Sequence, residues 1–169
     1  LKLYAKWELG KKSYRVNHYI QEVRLGENYE LAESENFIGT AGEMVAPEVK
    51  TYEGFTSPEK QYYELQVSDD MEVFNYYYQR NSYNVTIDRN DGSENITLEP
   101  VYEAKIEYRP EKMGYQFAGW YLDKELKQEF DGTVPAKDLT LYAKWEAQDV
   151  SYSVRHYLQN ANDDGYTSA

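Results

Sequence analysis

Two histidines are the residues of this chain best suited to moving protons, and both stand in the same phrase. His18 lies in SYRVNHYIQ, which begins at Ser13, and His156 in SYSVRHYLQ, which begins at Ser151. An imidazole acts as a general base only where a nucleophile or an orienting carboxylate stands within reach, and no Ser, Cys or carboxylate shows recognisable spacing from either. Strand-like alternation places each His on a Tyr/Val face, which reads as a structural, hydrogen-bonded histidine. The carboxylates are the next candidates. Asp88, Asp91 and the pair Asp163 and Asp164 offer hard oxygen ligands, but DRNDGSEN lacks the ligand order and closing Glu of a calcium loop and reads as a turn. The chain has no cysteine, which removes thiolate ligands, thiol nucleophiles and disulfide staples. A nucleophile elbow, a phosphate loop and a zinc signature are all missing. The chain is therefore expected to be non-enzymatic, with no catalytic residue, no cofactor and no metal.

What remains is aromatic chemistry. There are 19 tyrosines, three of them consecutive at Tyr76, Tyr77 and Tyr78. Tyrosine suits a sheet because its ring packs while its hydroxyl reaches a polar partner or water. In GYQFAGWY, neighbouring Trp120 and Tyr121 point to opposite faces of a strand, so only one of them is expected to be exposed. Trp120 is assigned to the core, by analogy with Trp145 on the apolar face of its own strand. Tyr121 and Tyr77 are then the candidate ligand-binding residues, since tyrosine-rich surfaces often bind partners.

The elements that position these residues are strands. Leu139, Leu141, Ala143 and Trp145 share one face of LTLYAKWE, with Thr140, Tyr142, Lys144 and Glu146 on the other. Tyr83, Val85 and Ile87 alternate likewise, as do Tyr14, Val16, His18 and Ile20. Asp91-Gly92 is a hairpin signal, and NITLEP reads as the returning strand. GEMVAPEV and GYQFAGWY continue the β pattern. Short helical turns are expected at Ser57–Gln66 and Asp123–Phe130, where Pro58-Glu59-Lys60 resembles a helix start.

The chain also repeats itself. LYAKWE occurs at Leu3 and again at Leu141, an offset of 138 residues, and the two histidine phrases share that offset. From Leu1 to Gln21 against Leu139 to Gln159, 13 of 21 positions are identical without a gap. Such a period marks a repeat array, and the chain reads as one full period cut at both ends. The period divides in two, because each aromatic strand is followed by a few polar residues and a new Ser-Tyr-x-Val strand. The expected organisation is 1–12, the end of a preceding module; 13–80, a first module; 81–146, a second; and 147–169, the start of the next. Modules of this size are marginal alone, so neighbouring modules of the same chain are expected to support one another.

Length and charge fit this picture. A chain of 169 residues makes one large or two small domains. With 30 acidic against 18 basic side chains, the net charge of -12 repels nucleic acid and anionic membrane surfaces, so neither is expected as a partner. No apolar run approaches the length of a bilayer span.

The segment from Gly114 to Glu146 resembles the Listeria–Bacteroides repeat, also called the internalin B-type repeat. Gly114, Tyr115, Phe117, Gly119, Trp120 and Tyr121 fill its first strand. Leu139, Leu141, Tyr142, Ala143 and Trp145 fill its closing strand. The first module, from SYRVNHYIQ to VFNYYYQR, is similar to a repeat that often alternates with it and to mucin-binding-type repeats, although it lacks the Gly-Trp-Tyr element. The resemblance implies a β-rich α+β fold of two small tandem β-grasp-like (ubiquitin-like) modules, mostly antiparallel. It also implies an extracellular, cell-wall-attached position in a Gram-positive surface protein. The function expected is a stalk or spacer. The rival reading is an adhesion module that recognises a host glycan or protein through exposed aromatic residues.

Overall fold

The computed structural model describes residues 2–24, 28–68, 70–149 and 151–168. Leu1 and Ala169, which close the two terminal segments of the sequence reading, lie outside the described residues. Among the described residues, twelve strands follow in chain order: β1 (Lys11–Gln21), β2 (Tyr29–Thr40), β3 (Met44–Val45), β4 (Phe55–Thr56), β5 (Tyr63–Glu64), β6 (Glu72–Arg80), β7 (Val85–Asp88), β8 (Ile96–Leu98), β9 (Tyr115–Tyr121), β10 (Leu139–Ala147), β11 (Tyr157–Gln159) and β12 (Tyr166–Ser168).

Two four-stranded sheets follow one plan. The first has the order β2-β1-β6-β4 and the second β8-β7-β10-β9. In each, the opening strand forms a hairpin with its successor and then lies beside the closing strand of the module. That central pair is parallel, β1 with β6 and β7 with β10, whereas the flanking pairs are antiparallel. The sheets are therefore mixed.

A parallel pair requires the chain to cross over one face of the sheet, and a helix usually makes that crossing. Here the crossing chain is irregular, and no helix occurs among the described residues. The α+β expectation is thus corrected to all-β, and both expected helical turns are replaced. Within Ser57–Gln66, Tyr63 and Glu64 pair with Val45 and Met44, and the Leu65 amide donates to the Glu43 carbonyl at 2.9 Å. Strand pairing satisfies the backbone that a helix would have satisfied internally. Within Asp123–Phe130, the Asp123 carboxylate accepts from the amides of Lys127 and Gln128. Leu126 turns the chain at φ 54°, and the Phe130 amide donates to the Trp120 carbonyl at 2.9 Å. A tight side-chain-capped turn results.

The cores form between each sheet and its crossing chain. In the first, Tyr14, Val16, Tyr76 and Tyr78 of the sheet meet Val45 and Leu65 from the crossing. In the second, Val85, Ile87, Trp120, Leu141 and Ala143 meet Val134, with Ile106, Tyr108 and Phe130 packed around them. The alternation expected in LTLYAKWE is present, since Leu141 and Ala143 are buried and Thr140 and Tyr142 are more exposed. The hairpin at Asp91-Gly92 joins β7 to β8, with Asn90 and Gly92 at positive φ.

Both copies of the repeated phrase change structure with context. LYAKWE forms the centre of a sheet as part of β10, but at Leu3–Glu8 it is not a strand, and Trp7 is 90% exposed. The reason is pairing. The later copy lies between β7 and β9, whereas no described strand pairs with the earlier one. Likewise SYRVNHYIQ lies within β1, but only Tyr157–Gln159 of SYSVRHYLQ is a strand, held by β12 alone.

An irregular crossing has backbone groups of its own to satisfy, and the tyrosines do this. The Tyr76 hydroxyl donates to the Pro47 carbonyl at 3.0 Å and accepts from the Gln61 amide at 3.3 Å. The Tyr78 hydroxyl accepts from the Lys50 amide at 2.9 Å. In the second module the indoles serve: Trp120 Nε1 donates to the Tyr108 carbonyl at 3.1 Å, and Trp145 Nε1 to the Arg89 carbonyl at 2.7 Å. Replacing Tyr76 by Phe removes one buried oxygen and leaves two backbone groups unpaired. The expected loss is about 1–3 kcal/mol of unfolding free energy in urea denaturation, and an unchanged midpoint would refute the role given to the hydroxyl.

Candidate functional site

Two constellations stand out from the packing: a buried polar cluster around His18, and the contact between the two sheets at Arg80.

His18 sits on β1 with its side chain sealed from solvent, flanked by the rings of Tyr76 and Tyr78. Its Nδ1 is 2.8 Å from the Tyr78 hydroxyl. That hydroxyl already accepts from the Lys50 amide, so its single proton is free to be donated to Nδ1, which leaves the hydrogen of a neutral ring on Nε2. Nε2 faces a Glu35 carboxylate oxygen at 3.6 Å, too far for a hydrogen bond. Lys50 closes the cluster, with Nζ 2.6 Å from Glu33 and 2.8 Å from Glu35, and the Tyr52 hydroxyl donates to Glu33 at 3.3 Å. Burial lowers the His18 pKa below its ordinary value, and the charge of Lys50 adds to this. Glu35 and Glu33 pull the other way. The Lys50 pKa is raised by its hydrogen bonds to Glu33 and Glu35. Burial, with the Glu33 charge behind it, pushes the Tyr52 hydroxyl up to about 12. The arrangement stabilises a neutral imidazole inside the core. His156, its equivalent in the repeat, is exposed.

Arg80 is the last residue of β6, and its side chain is only 2% exposed. Its Nε donates to the Gln21 carbonyl at 3.0 Å, at the end of β1. Its Nη1 donates to the Tyr102 carbonyl at 3.0 Å and to Glu103 Oε2 at 2.6 Å, both on the second sheet's side of the chain. The guanidinium lies over the Phe55 ring at 4.6 Å and near the Tyr102 ring at 5.8 Å. Glu103 holds a left-handed backbone, φ 62°. Gly54, at φ 77°, approaches Tyr102 so closely that a Cβ would stand 2.2 Å from its ring. Asn81 completes the contact: its amide donates to the Gly54 carbonyl and its own carbonyl accepts from the Tyr102 amide at 2.8 Å. Ser82 is already bridged to Val101, so a single residue separates the end of β6 from pairing in the second module.

The sequence-predicted ligand residues separate. Tyr77 is 48% exposed on the outer face of the first sheet. Tyr121 is only 8% exposed, and Trp120 is 6% exposed. Trp120 is in the core as expected, whereas Tyr121 does not present the exposed ring expected of a ligand-binding residue. Trp120 faces the core, while Lys144 lies over the Tyr121 ring at 5.2 Å and the returning chain bridges to Tyr121 at Glu129. Asp91 caps Ser93, and Asp163 accepts from Gly165 and Asn160, each as a turn residue. Sequence reading missed Arg80 and Lys50. Arg80 was visible as a cation closing an aromatic strand, but its partners at Gln21 and Glu103 lie far along the chain.

Residues 83–144 match the family model of the Listeria-Bacteroides repeat domain. The second module is thus a domain of this repeat class. Two proteins of Evansella cellulosilytica are similar to the chain. One, named "Putative Gly-rich membrane protein", is 32% identical over 156 residues, which cover 85% of this chain and 17% of that protein. Another, named "Putative membrane protein", is 28% identical over 162 residues, which cover 89% of this chain and 23% of that protein. The chain thus spans less than a quarter of either relative. Among the described residues, no helix is long and apolar enough to cross a membrane.

The His18 cluster gives a pH dependence of defined sign. The folded-state pKa of His18 lies below the unfolded value of about 6.5, so the unfolded chain takes up this proton first as pH falls. The stability it contributes is complete above about pH 6.5 and is lost as pH drops toward the folded value. Glu33, also lowered, adds a similar loss only below about 4.5. Urea unfolding between pH 7.5 and 5 should show a declining midpoint, and His18→Gln should flatten that decline whatever its effect at pH 7.5. An equal slope in both proteins would place the proton uptake elsewhere.

Proposed function

We propose that this chain is a structural spacer in a bacterial surface protein, in which alternating β modules hold another part of the protein at a distance. The observation that supports this reading most directly is the contact at Arg80. A free linker would leave adjacent modules to swing, but here one residue separates two paired sheets, and a buried guanidinium takes partners from both sides. The repeat period supports it too, because a second copy of the same contact at each period would extend the array without new chemistry. The name of the repeat family and the membrane-protein names of the two relatives support a place at the cell surface. Attachment to a Gram-positive wall and a β-grasp-like identity for both modules belong to the same proposal. The shared strand order with its parallel central pair supports the latter. Neighbouring modules are the partners it requires.

Small-angle X-ray scattering on proteins with one, two and three copies of the 138-residue period tests the reading. The maximum dimension should rise by a constant step with each added period. Growth that falls well short of linear would mean modules that fold back or swing freely, and the spacer reading would fail.

A further inference from the structure

The outer face of the first sheet differs in charge from the rest of this chain. Alternation along the strands separates the two faces. Glu30, Glu33 and Glu35 of β2 and Glu72 of β6 pair opposite core-facing positions of β1, so their side chains lie on the core-side face. On the outer face, the described residues of β1, β2 and β6 carry no carboxylate, although the chain has 30 acidic residues and a net charge of -12. In their place stand tyrosines and amides at the centre, with Arg15 and the exposed aliphatic side chains Leu31, Ile38 and Val73 around them.

The centre of this face is ordered. Tyr19 and Tyr77 are register partners on adjacent strands, with rings stacked at 5.3 Å and 17°, and Tyr29 meets Tyr77 edge-on at 5.0 Å. One row along, the Ser34 hydroxyl donates to Asn17 Oδ1 at 2.7 Å, and Asn17 Nδ2 donates to Asn75 Oδ1 at 3.0 Å. These bonds fix the amides of Asn17 and Asn75. Beside Tyr77 a cleft of about 540 Å³ is lined by Gln21, Tyr29, Tyr77 and Gln79.

We infer that this face binds an uncharged polysaccharide, with one sugar ring against Tyr77 and Tyr29 in the cleft and the next hydroxyls on Asn75 and Gln79. A pyranose presents C–H groups on its flat side, which suit the negative face of a tyrosine ring. Its hydroxyls both donate and accept, as amides do, so Asn and Gln satisfy them without placing a charge. Rigid tyrosines flanked by fixed amides lose little conformational entropy on binding. An acidic glycan gains nothing from a net charge of -12. A protein partner of standard size would seek an apolar centre, whereas here the centre is an amide row. This inference is independent of the spacer reading, since a spacer and a glycan-binding face can share one module.

The test is an amide-shift titration of the full 169-residue chain, ¹⁵N-labelled, with cellohexaose, maltohexaose, laminarihexaose and chitohexaose, each to 5 mM by design. At least one should move the amides around Tyr19, Asn75 and Tyr77 in a saturable way. Tyr77→Ala should weaken that binding about tenfold, the scale of one lost aromatic contact, and Asn75→Ala should weaken it severalfold. Tyr62→Ala, exposed but off this face, should leave it unchanged. Unperturbed shifts at Val45 and Leu65, in the core of the same module, show that each variant is folded. Should none of the four bind, or binding survive Tyr77→Ala and Asn75→Ala, the inference is overturned. Shifts at Tyr77 that depend on protein concentration alone would overturn it too, by showing a self-association face.

Discussion

A guanidinium cannot lose its protons under ordinary conditions, so burying one commits the structure around it to supplying acceptors. Arg80 is buried, and its acceptors come from β1, from the turn at Tyr102 and from Glu103. Two of these belong to the second module. The end of the first sheet is therefore complete only when the second module is in place. The close approach of Gly54 to Tyr102 has the same character, because it admits neither a larger residue at 54 nor a displaced ring at 102. The proposed stiffness of the array rests on these contacts, and little of it on linker length alone.

A second constraint shapes each module from within. A parallel central pair forces a crossover, and an irregular crossover leaves amides and carbonyls that a helix would have paired itself. The sheet answers with aromatic side chains that carry a polar tip. Tyr76, Tyr78, Trp120 and Trp145 each put a ring into the core and a hydrogen bond on the crossing chain or an adjoining loop. This gives a role to two of the 19 tyrosines, Tyr76 and Tyr78. It also explains why His18 is tolerated in the core, since Tyr78 joins its Nδ1 to the Lys50 backbone.

The sheets were legible in the sequence because burial enforces period two. Val85, Ile87, Leu141 and Ala143 alternate, and all four are buried as the alternation requires. The Asp91-Gly92 hairpin was legible from turn chemistry alone. Three features were not. LYAKWE is one phrase in two conformations, because strand formation depends on partners that local sequence does not contain. Tyr121 followed the alternation rule away from the core, yet Lys144 and the turn at Glu129 cover the second face, and a strand pattern cannot count covering layers. The helix-start signal at Pro58 lost to pairing between β3 and β5, a tertiary effect. As for function, His18 was legible as structural, while Arg80 needed the spatial meeting of Gln21, Phe55 and Glu103.

A stiff array requires Arg80 to hold the two modules as one rigid body. Residual dipolar couplings of backbone amides in the 169-residue chain measure this directly. Couplings from β1, β2 and β6 and those from β7, β9 and β10 should fit a single alignment tensor, and Arg80→Ala should split them into two. Two independent tensors in the unaltered chain would contradict the account.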